Sequence, residues 1–420
     1  MTLSYDTLPS GFRMVSEHLP HVHSVAFAIA VNVGARYETP DQGGISHLLE
    51  HMAFKGTSRM NAKEIAEAFD RMGGNVNAYT SHEHTVYYAK VLKEYGKPAL
   101  RLLCEIVRDS QFDEGELAKE REVILQEIAM HQDSPDDVVF DLFQEVAFAN
   151  QPLGRSILGA PEHVSSFTRD DLMAYTAAHY QPHRMVLAGA GAIDHRMLHA
   201  VASEFFAAPA TVNAPVIPQE GMFQHGRLLQ EKDLEQVQLV LGVAGVSVTH
   251  EDYYALQIFS MILGGGMSSR LFQEVRESRG LAYSVSSYIV GYQDCGVLGI
   301  YAGTTPEHMA EMLAAIQQVA SSMQQGVTED ELLRARNQMK ASIVMTRENV
   351  GNIAEWMARH MHVYGRVKSA EEILTAMDAV TADDLVRVAN QYLLAAPMTL
   401  TALGQVAGGG LDMGALPEVA

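Results

Sequence analysis

Apolar and polar positions along the chain recur in two periods. Runs such as HSVAFAIAVNVGAR (His23–Arg36) and VQLVLGVAGVSV (Val237–Val248) follow the alternating pattern of strands. Longer stretches such as ELAKEREVILQEIAM (Glu116–Met130) are amphipathic at helical spacing. Their mixture predicts α+β units, each a mainly antiparallel sheet covered by helices. One stretch, GGISHLLEHMAFKGT (Gly43–Thr57), breaks the rule that apolar runs exclude costly polar groups. Leu48, Leu49, Met52, Ala53 and Phe54 fill it, glycines and Ser46 precede it, and Gly56 follows, which predicts a short helix with its stop signal.

The patterns repeat. Glu116–Met130 aligns without gaps on ELLRARNQMKASIVM (Glu331–Met345), an offset of 215, and FTRDDLMAYTAAHY (Phe167–Tyr180) echoes VTADDLVRVANQY (Val380–Tyr392) at nearly the same offset. Such matches predict a duplicated domain. The Pro- and Ala-rich segment Ala207–Glu220 separates the halves, so the predicted division is a first domain over 1–210, a linker over 211–224 and a second domain over 225–420.

Whole-chain properties narrow the function classes. The 420 residues, 47% hydrophobic and 19% charged, suffice for two or three cored domains. No basic, apolar leader opens the chain and no run reaches membrane-span length, so neither a secretory segment nor a span is expected. Two distant cysteines, Cys104 and Cys295, read as reduced core thiols. A net charge of −21 argues against nucleic acid and permits a cationic partner, with solubility its default meaning.

On a helix, His47, Glu50 and His51 share one face while the leucines pack behind. Two imidazoles one turn apart can hold one Zn²⁺, and the adjacent carboxylate can take a proton from water. The order H-x-x-E-H inverts the zinc-protease motif H-E-x-x-H. By itself the pattern equally fits a surface helix with stray histidines. Glu127, mid-helix beside Ile124 and Ile128, is a candidate third ligand; Glu120, two turns earlier, is either an acceptor orienting a histidine or a solvated helix face. In the second half Glu120 falls on Ala335 and Glu127 on Ser342, and no H-x-x-E-H occurs, so the carboxylates appear only where the histidines do.

With HLLEHMAFKGT, GGNVNAYTSHEHTVYY, EREVILQEI, DSPDDVVFDLFQEVAF, PLGRSILG and SRLFQEVRESRGLAYSV, the chain resembles the M16 metallopeptidases, the inverzincins. It is most similar to their short two-domain members, the mitochondrial processing peptidase β subunits and bacterial relatives. The resemblance implies a zinc-dependent endopeptidase with one zinc per chain, acting on peptides or unfolded presequence-like segments in a chamber between domains. His47, His51 and Glu127 would be the ligands, Glu50 the general base and Glu120 the carboxylate behind them. Asn77, Ala78 and Tyr79 match the edge strand on which substrate adds as an extra strand, and Phe54 joins the substrate-contacting residues. Asp137 and Asp141 match positions that recognise a basic residue before the cut, with Asp at one where the relative has Glu. Arg276 and Tyr283 match a pair that reaches the substrate and stabilises the tetrahedral intermediate. Because this chain carries both the zinc set and the Arg/Tyr pair, a homodimer is expected, each site completed by the second chain. The alternative is a non-catalytic or partner-dependent subunit of a heterodimeric processing peptidase. The expected location is the cytoplasm of a bacterium.

Overall fold

The structure, a computed structural model, describes residues 3–208, 217–395 and 397–407. The chain forms two compact units. The first comprises Met1–Ala129, Arg155–Gln219 and Val344–Lys368; the second comprises Met130–Gly154, Glu220–Ile343 and Ser369–Ala420.

In the first unit the strands β1 (Leu3–Thr7), β2 (Arg13–His18), β3 (Ser24–Val31), β4 (Asn75–Thr80), β5 (Thr85–Leu92) and β6 (Met185–Gly191) form a sheet ordered β1-β2-β6-β3-β5-β4. Only the β2–β6 pairing is parallel. From Val25 to Val31 the run in β3 is apolar because both faces are covered. Val25, Phe27, Ile29 and Val31 enter the core shared with the helices Ile45–Ala53, Gly96–Arg108 and His195–Phe206. Ala26, Ala28 and Ala30, with Ala188 and Ala190 of β6, face the helix Val350–Tyr364. Small strand residues let that helix seat Ile353, Met357 and Met361, spaced one turn apart, against the sheet.

The second unit repeats the plan. Its strands β7 (Arg227–Glu231), β8 (Val237–Ala244), β9 (Ser284–Gly291), β10 (Gly296–Thr304) and β11 (Thr399–Gly404) are ordered β7-β11-β8-β10-β9, again with one parallel pairing, β7–β11. By place β7, β8, β9, β10 and β11 match β2, β3, β4, β5 and β6; among the described residues β1 has no counterpart. The helix Pro135–Ala147 covers this sheet with Val139, Phe143 and Ala147 against Val240, Val297 and Leu403. The Phe143 ring lies where a Cβ on Gly242 would come within 2.3 Å of it, so only glycine admits the helix this closely.

The duplicated mixed sheet-and-helix fold is as the patterns predict. The long echoing helices are Glu114–Gln132 and Glu329–Thr346. The other echo begins with the same capping box twice, Thr168 with Asp171 and Thr381 with Asp384. It then diverges: Arg169–His179 is continuous, while Ala382–Val388 widens into a π-helical stretch, Ala389–Leu394. The units are not the continuous 1–210 and 225–420 segments. Residues 130–154 belong with the second sheet and 344–368 with the first. Their helices start 215 positions apart, at Pro135 and Val350, so the exchange is itself part of the repeat.

Of the predicted linker, 211–216 lie outside the described residues. Its end is anchored, because the buried Arg36, paired with Glu83 at 2.7 Å, donates to the Gln219 carbonyl at 2.6 Å. Neither cysteine forms a disulfide, and only Cys104 is a core thiol. Cys295 is half-buried at the margin of the second unit's core. Among the described residues no helix is long and apolar enough to cross a membrane.

Candidate metal centre

The predicted motif helix runs from Ile45 to Ala53. Its start is fixed by a group the pattern did not indicate. Glu38 lies outside the helix, is buried, and accepts from the backbone N–H of Gly44 at 3.0 Å and of Ser46 at 2.8 Å. Gly44, at φ 93°, makes the entry turn. Ser46 is inside the helix, its hydroxyl 2.8 Å from that of Tyr175. The helix ends at Ala53, before Gly56; the φ of 143° at Gly56 serves the turn that follows.

The helix brings His47, Glu50 and His51 to one side, and the long helix Glu114–Gln132 lays Glu120 and Glu127 beside them. One ligand atom from each of His47, His51 and Glu127 falls within 4.8 Å of the other two, the one such group among the described residues. Glu127 Oε2 is 3.7 Å from His47 Nε2 and 3.6 Å from His51 Nε2. These separations are long for hydrogen bonds. They suit donors arranged around one ion, since tetrahedral ligands at Zn²⁺ bond lengths lie roughly 3.4 Å apart. Nδ1 of the buried His47 has no hydrogen-bond partner. A buried imidazole nitrogen without a partner is costly, and an ion at Nε2 would offset part of the cost of burying the ring. Two nitrogens and a carboxylate are also a common zinc donor set, so the residues fit the ion.

Burial sets the electrostatics. It pushes the His47 imidazole down to about 4, with His51 adding to the shift, so His47 is neutral and a competent ligand. Burial raises the Glu50 carboxyl above its ordinary value, against the Thr80 hydroxyl and His51, while Glu127 adds to the rise. Thr80 Oγ1 donates to Glu50 Oε2 at 2.6 Å. Glu120 is buried with Oε2 at 3.1 Å from His51 Nδ1. It is therefore no solvated face.

Thr80 and Glu38 had escaped the sequence reading. Thr80 closes the quoted NVNAYT run; Glu38 carries no local signal, because its partners lie across a loop. Asn77, Ala78 and Tyr79 lie on β4, an edge strand that among the described residues pairs only with β5. Ala78 is buried and Tyr79 exposed. Phe54 is partly buried against the core.

The remaining predicted residues belong to the second unit. Arg276, on the π-helical stretch Phe272–Ser278, lies over the Tyr283 ring at 4.7 Å and the Phe272 ring at 4.8 Å. Tyr283 is 74% exposed, unusual for its size. Asp137 and Asp141 lie on the helix Pro135–Ala147, where Asp141 Oδ2 is 3.1 Å from His131 Nε2. The acidic run from Asp113 to Glu145 is thus divided between the units, with Asp113–Glu127 in one and Asp133–Glu145 in the other.

Comparison with known proteins adds independent support. Residues 13–161 match the family model described as insulinase (peptidase family M16), and 166–339 match the peptidase M16 inactive domain. The second match begins before β6, which hydrogen-bonds between β2 and β3, so pairing in the structure is the better guide to the units. A protein of Rickettsia felis named uncharacterized zinc protease is 40% identical over 386 residues, covering 91% of this chain and 93% of its own. The Bacillus subtilis uncharacterized zinc protease YmxG is 41% identical, covering 92% and 94%. The crystal structure of a protease from Helicobacter pylori superposes with a TM-score of 0.90 at 24% identity, over 96% of this chain and 99% of that one, and supports the fold.

Proposed function

The chain belongs to the M16 peptidase family, and from that premise we propose that it is a zinc-dependent endopeptidase whose metal centre lies in its first unit. The observation that carries this reading is the convergence of His47, His51 and Glu127 beside the half-buried carboxyl of Glu50.

His47, His51 and Glu127 would hold the zinc, which when bound would supply Lewis acidity toward the scissile carbonyl and acidify water. Glu50 accepts the proton of the attacking water and returns it to the leaving amine. Its raised proton affinity suits both steps. Thr80 engages one of its oxygens and leaves the other for the proton. Glu120 holds Nδ1 of His51, so that Nε2 is turned to the ligand set. The open edge of β4 takes substrate backbone as an added strand, which ties affinity to the main chain and tolerates varied sequences.

Arg276 and Tyr283 of a second copy complete the site in a two-fold homodimer and stabilise the developing oxyanion. Asp137 and Asp141 favour cationic peptides. Both statements rest on the sequence resemblance.

A quenched peptide with arginine near the cut tests the activity. The native chain should hydrolyse it, a chelator should stop it, and Glu50→Gln should keep zinc yet lose turnover. Near-native turnover in Glu50→Gln would sink the mechanism. Reassociating inactive Glu50→Gln with inactive Tyr283→Phe chains should restore part of the activity. No recovery despite proven subunit exchange would count against a shared site.

A further inference from the structure

Lys55, Gly56 and Thr57, just after the motif helix, take no part in the proposed chemistry, yet the structure holds them firmly. Gly56 adopts φ 143°, a backbone that side-chain-bearing residues rarely adopt. Thr57 donates from its N–H to the Met60 carbonyl at 2.8 Å and from Oγ1 to the buried Glu105 at 2.8 Å. On the other side, the Lys55 N–H donates to the Met52 carbonyl at 3.1 Å. Lys55 is therefore presented from a backbone fixed at both ends. Its Nζ lies 2.6 Å from Glu120 Oε1, while Glu120 Oε2 faces His51 Nδ1 at 3.1 Å.

We propose that Lys55 is a positioning residue for the metal centre: it grips one oxygen of Glu120 so that the other is held on Nδ1 of His51, which fixes the tautomer and ring orientation that direct Nε2 to the metal. A carboxylate on its own can rotate away from an imidazole. With one oxygen anchored by an ammonium and the side chain buried, that rotation is blocked. Lys55 keeps part of its side chain exposed, so removing it should spare the core. The chain Lys55–Glu120–His51 thus extends the ligand set by two residues, each oriented by the next. The inference rests on the zinc reading of the site.

The test measures zinc dissociation constants by chelator competition on the full-length chain, native and variant, without reference to turnover. Partners that orient a metal-bound histidine change affinity by about 10–100-fold. Lys55→Met should weaken zinc by about 10-fold, and Lys55→Arg should stay within about threefold of native. On a Glu120→Gln background Lys55→Met should cost less than about threefold, because the lysine acts through that carboxylate. In the metal-free chain, nitrogen NMR of His51 should show a reduced Nδ1–H tautomer in Lys55→Met. Should Lys55→Met not fold, Lys55→Gln, which keeps most of the stem, carries the same thresholds. Zinc bound within twofold of native by the charge-removing variant, or an undiminished loss on the Glu120→Gln background, overturns the proposal. A native chain that binds no zinc overturns the metal reading instead, so the two failures are distinguishable.

Discussion

The helix that follows β3 and the helix that follows β8 occupy matching places in the two sheets. The first, Ile45–Ala53, carries His47, Glu50 and His51; the second, Tyr253–Gly264, has neither imidazole nor carboxylate and buries Leu256, Phe259, Ile262 and Leu263. Both starts are tied down by a buried acid. Glu38 accepts from the backbone of Gly44 and Ser46; Asp252 accepts from Arg387 at 3.0 and 2.5 Å and from the Tyr392 hydroxyl at 2.8 Å. The two anchors differ in kind, Glu38 holding the helix's own backbone and Asp252, whose side chain makes no cap hydrogen bond, holding Arg387 and Tyr392, while the polar face exists in one unit only. The scaffold therefore does not require those groups. One buried and two half-buried polar side chains are a cost to the first unit that a bound ion can offset.

The largest effects should come from residues that divide the proposed chemistry between the units. Glu50→Gln should lower turnover on the order of 10²–10⁴-fold, and Tyr283→Phe on the order of 10²-fold, both with zinc content unchanged. Equal, small losses in steady-state assays would erase the functional contrast.

Next come the exchanged helices. Phe143→Ala should cost about 3–5 kcal/mol and Met357→Ala about 2–5 kcal/mol through the cavities they leave. Hydrogen exchange should rise first in β8 and β11 for Phe143→Ala, and in β3 and β6 for Met357→Ala. The reverse assignment would mean that each helix stabilises its own half of the sequence.

Acid should then separate the units. In the metal-free chain, burial holds His47, His84 and His179 at about 4 and His362 well below its ordinary value, all in the first unit. Between about 4 and 6.5 the unfolded state binds more protons at these sites, so stability rises with pH and falls on acidification across that window. Glu38, pushed by burial up to about 7, and the raised Glu50 and Glu355 oppose this. Five depressed histidines, His195 among them, against one strongly raised carboxyl leave the first unit acid-sensitive. In the second unit Glu331, held at about 2 chiefly by Arg270, and Asp252, lowered chiefly by Arg387, lose their contribution only below the ordinary carboxylate range. Exchange measured at pH 5 should therefore show the first unit opening and the second intact.

The smallest effects should be equal. Thr168→Ala and Thr381→Ala remove the same cap and should each cost about 1 kcal/mol in denaturant titration. A several-fold difference would mean that the units no longer share their local energetics.

The candidate metal-binding group was legible because helical spacing alone puts His47 and His51 on one face, and because the duplication showed which carboxylates lack a counterpart. The strands were legible in outline, since the small-and-large alternation of β3 records two covered faces. The exchange of Pro135–Ala147 and Val350–Tyr364 was not: an apolar stripe states that a helix is covered, and not which sheet covers it. Glu38 and Thr80 were invisible for a similar reason, because each meets the motif helix through tertiary contact rather than spacing. Lys55 stood in plain view within the motif, but its partner Glu120 lies 65 positions away and only the fold joins them.

Zinc content of the purified chain tests the central claim most directly. The native protein and Glu50→Gln should each hold one zinc per chain. Glu127→Ala, which removes a donor on the neighbouring helix and leaves the H-x-x-E-H motif intact, should hold almost none after dialysis against a weak chelator. Full zinc occupancy in Glu127→Ala would contradict the assigned ligand set, and with it the reading of the first unit as the metal-bearing one.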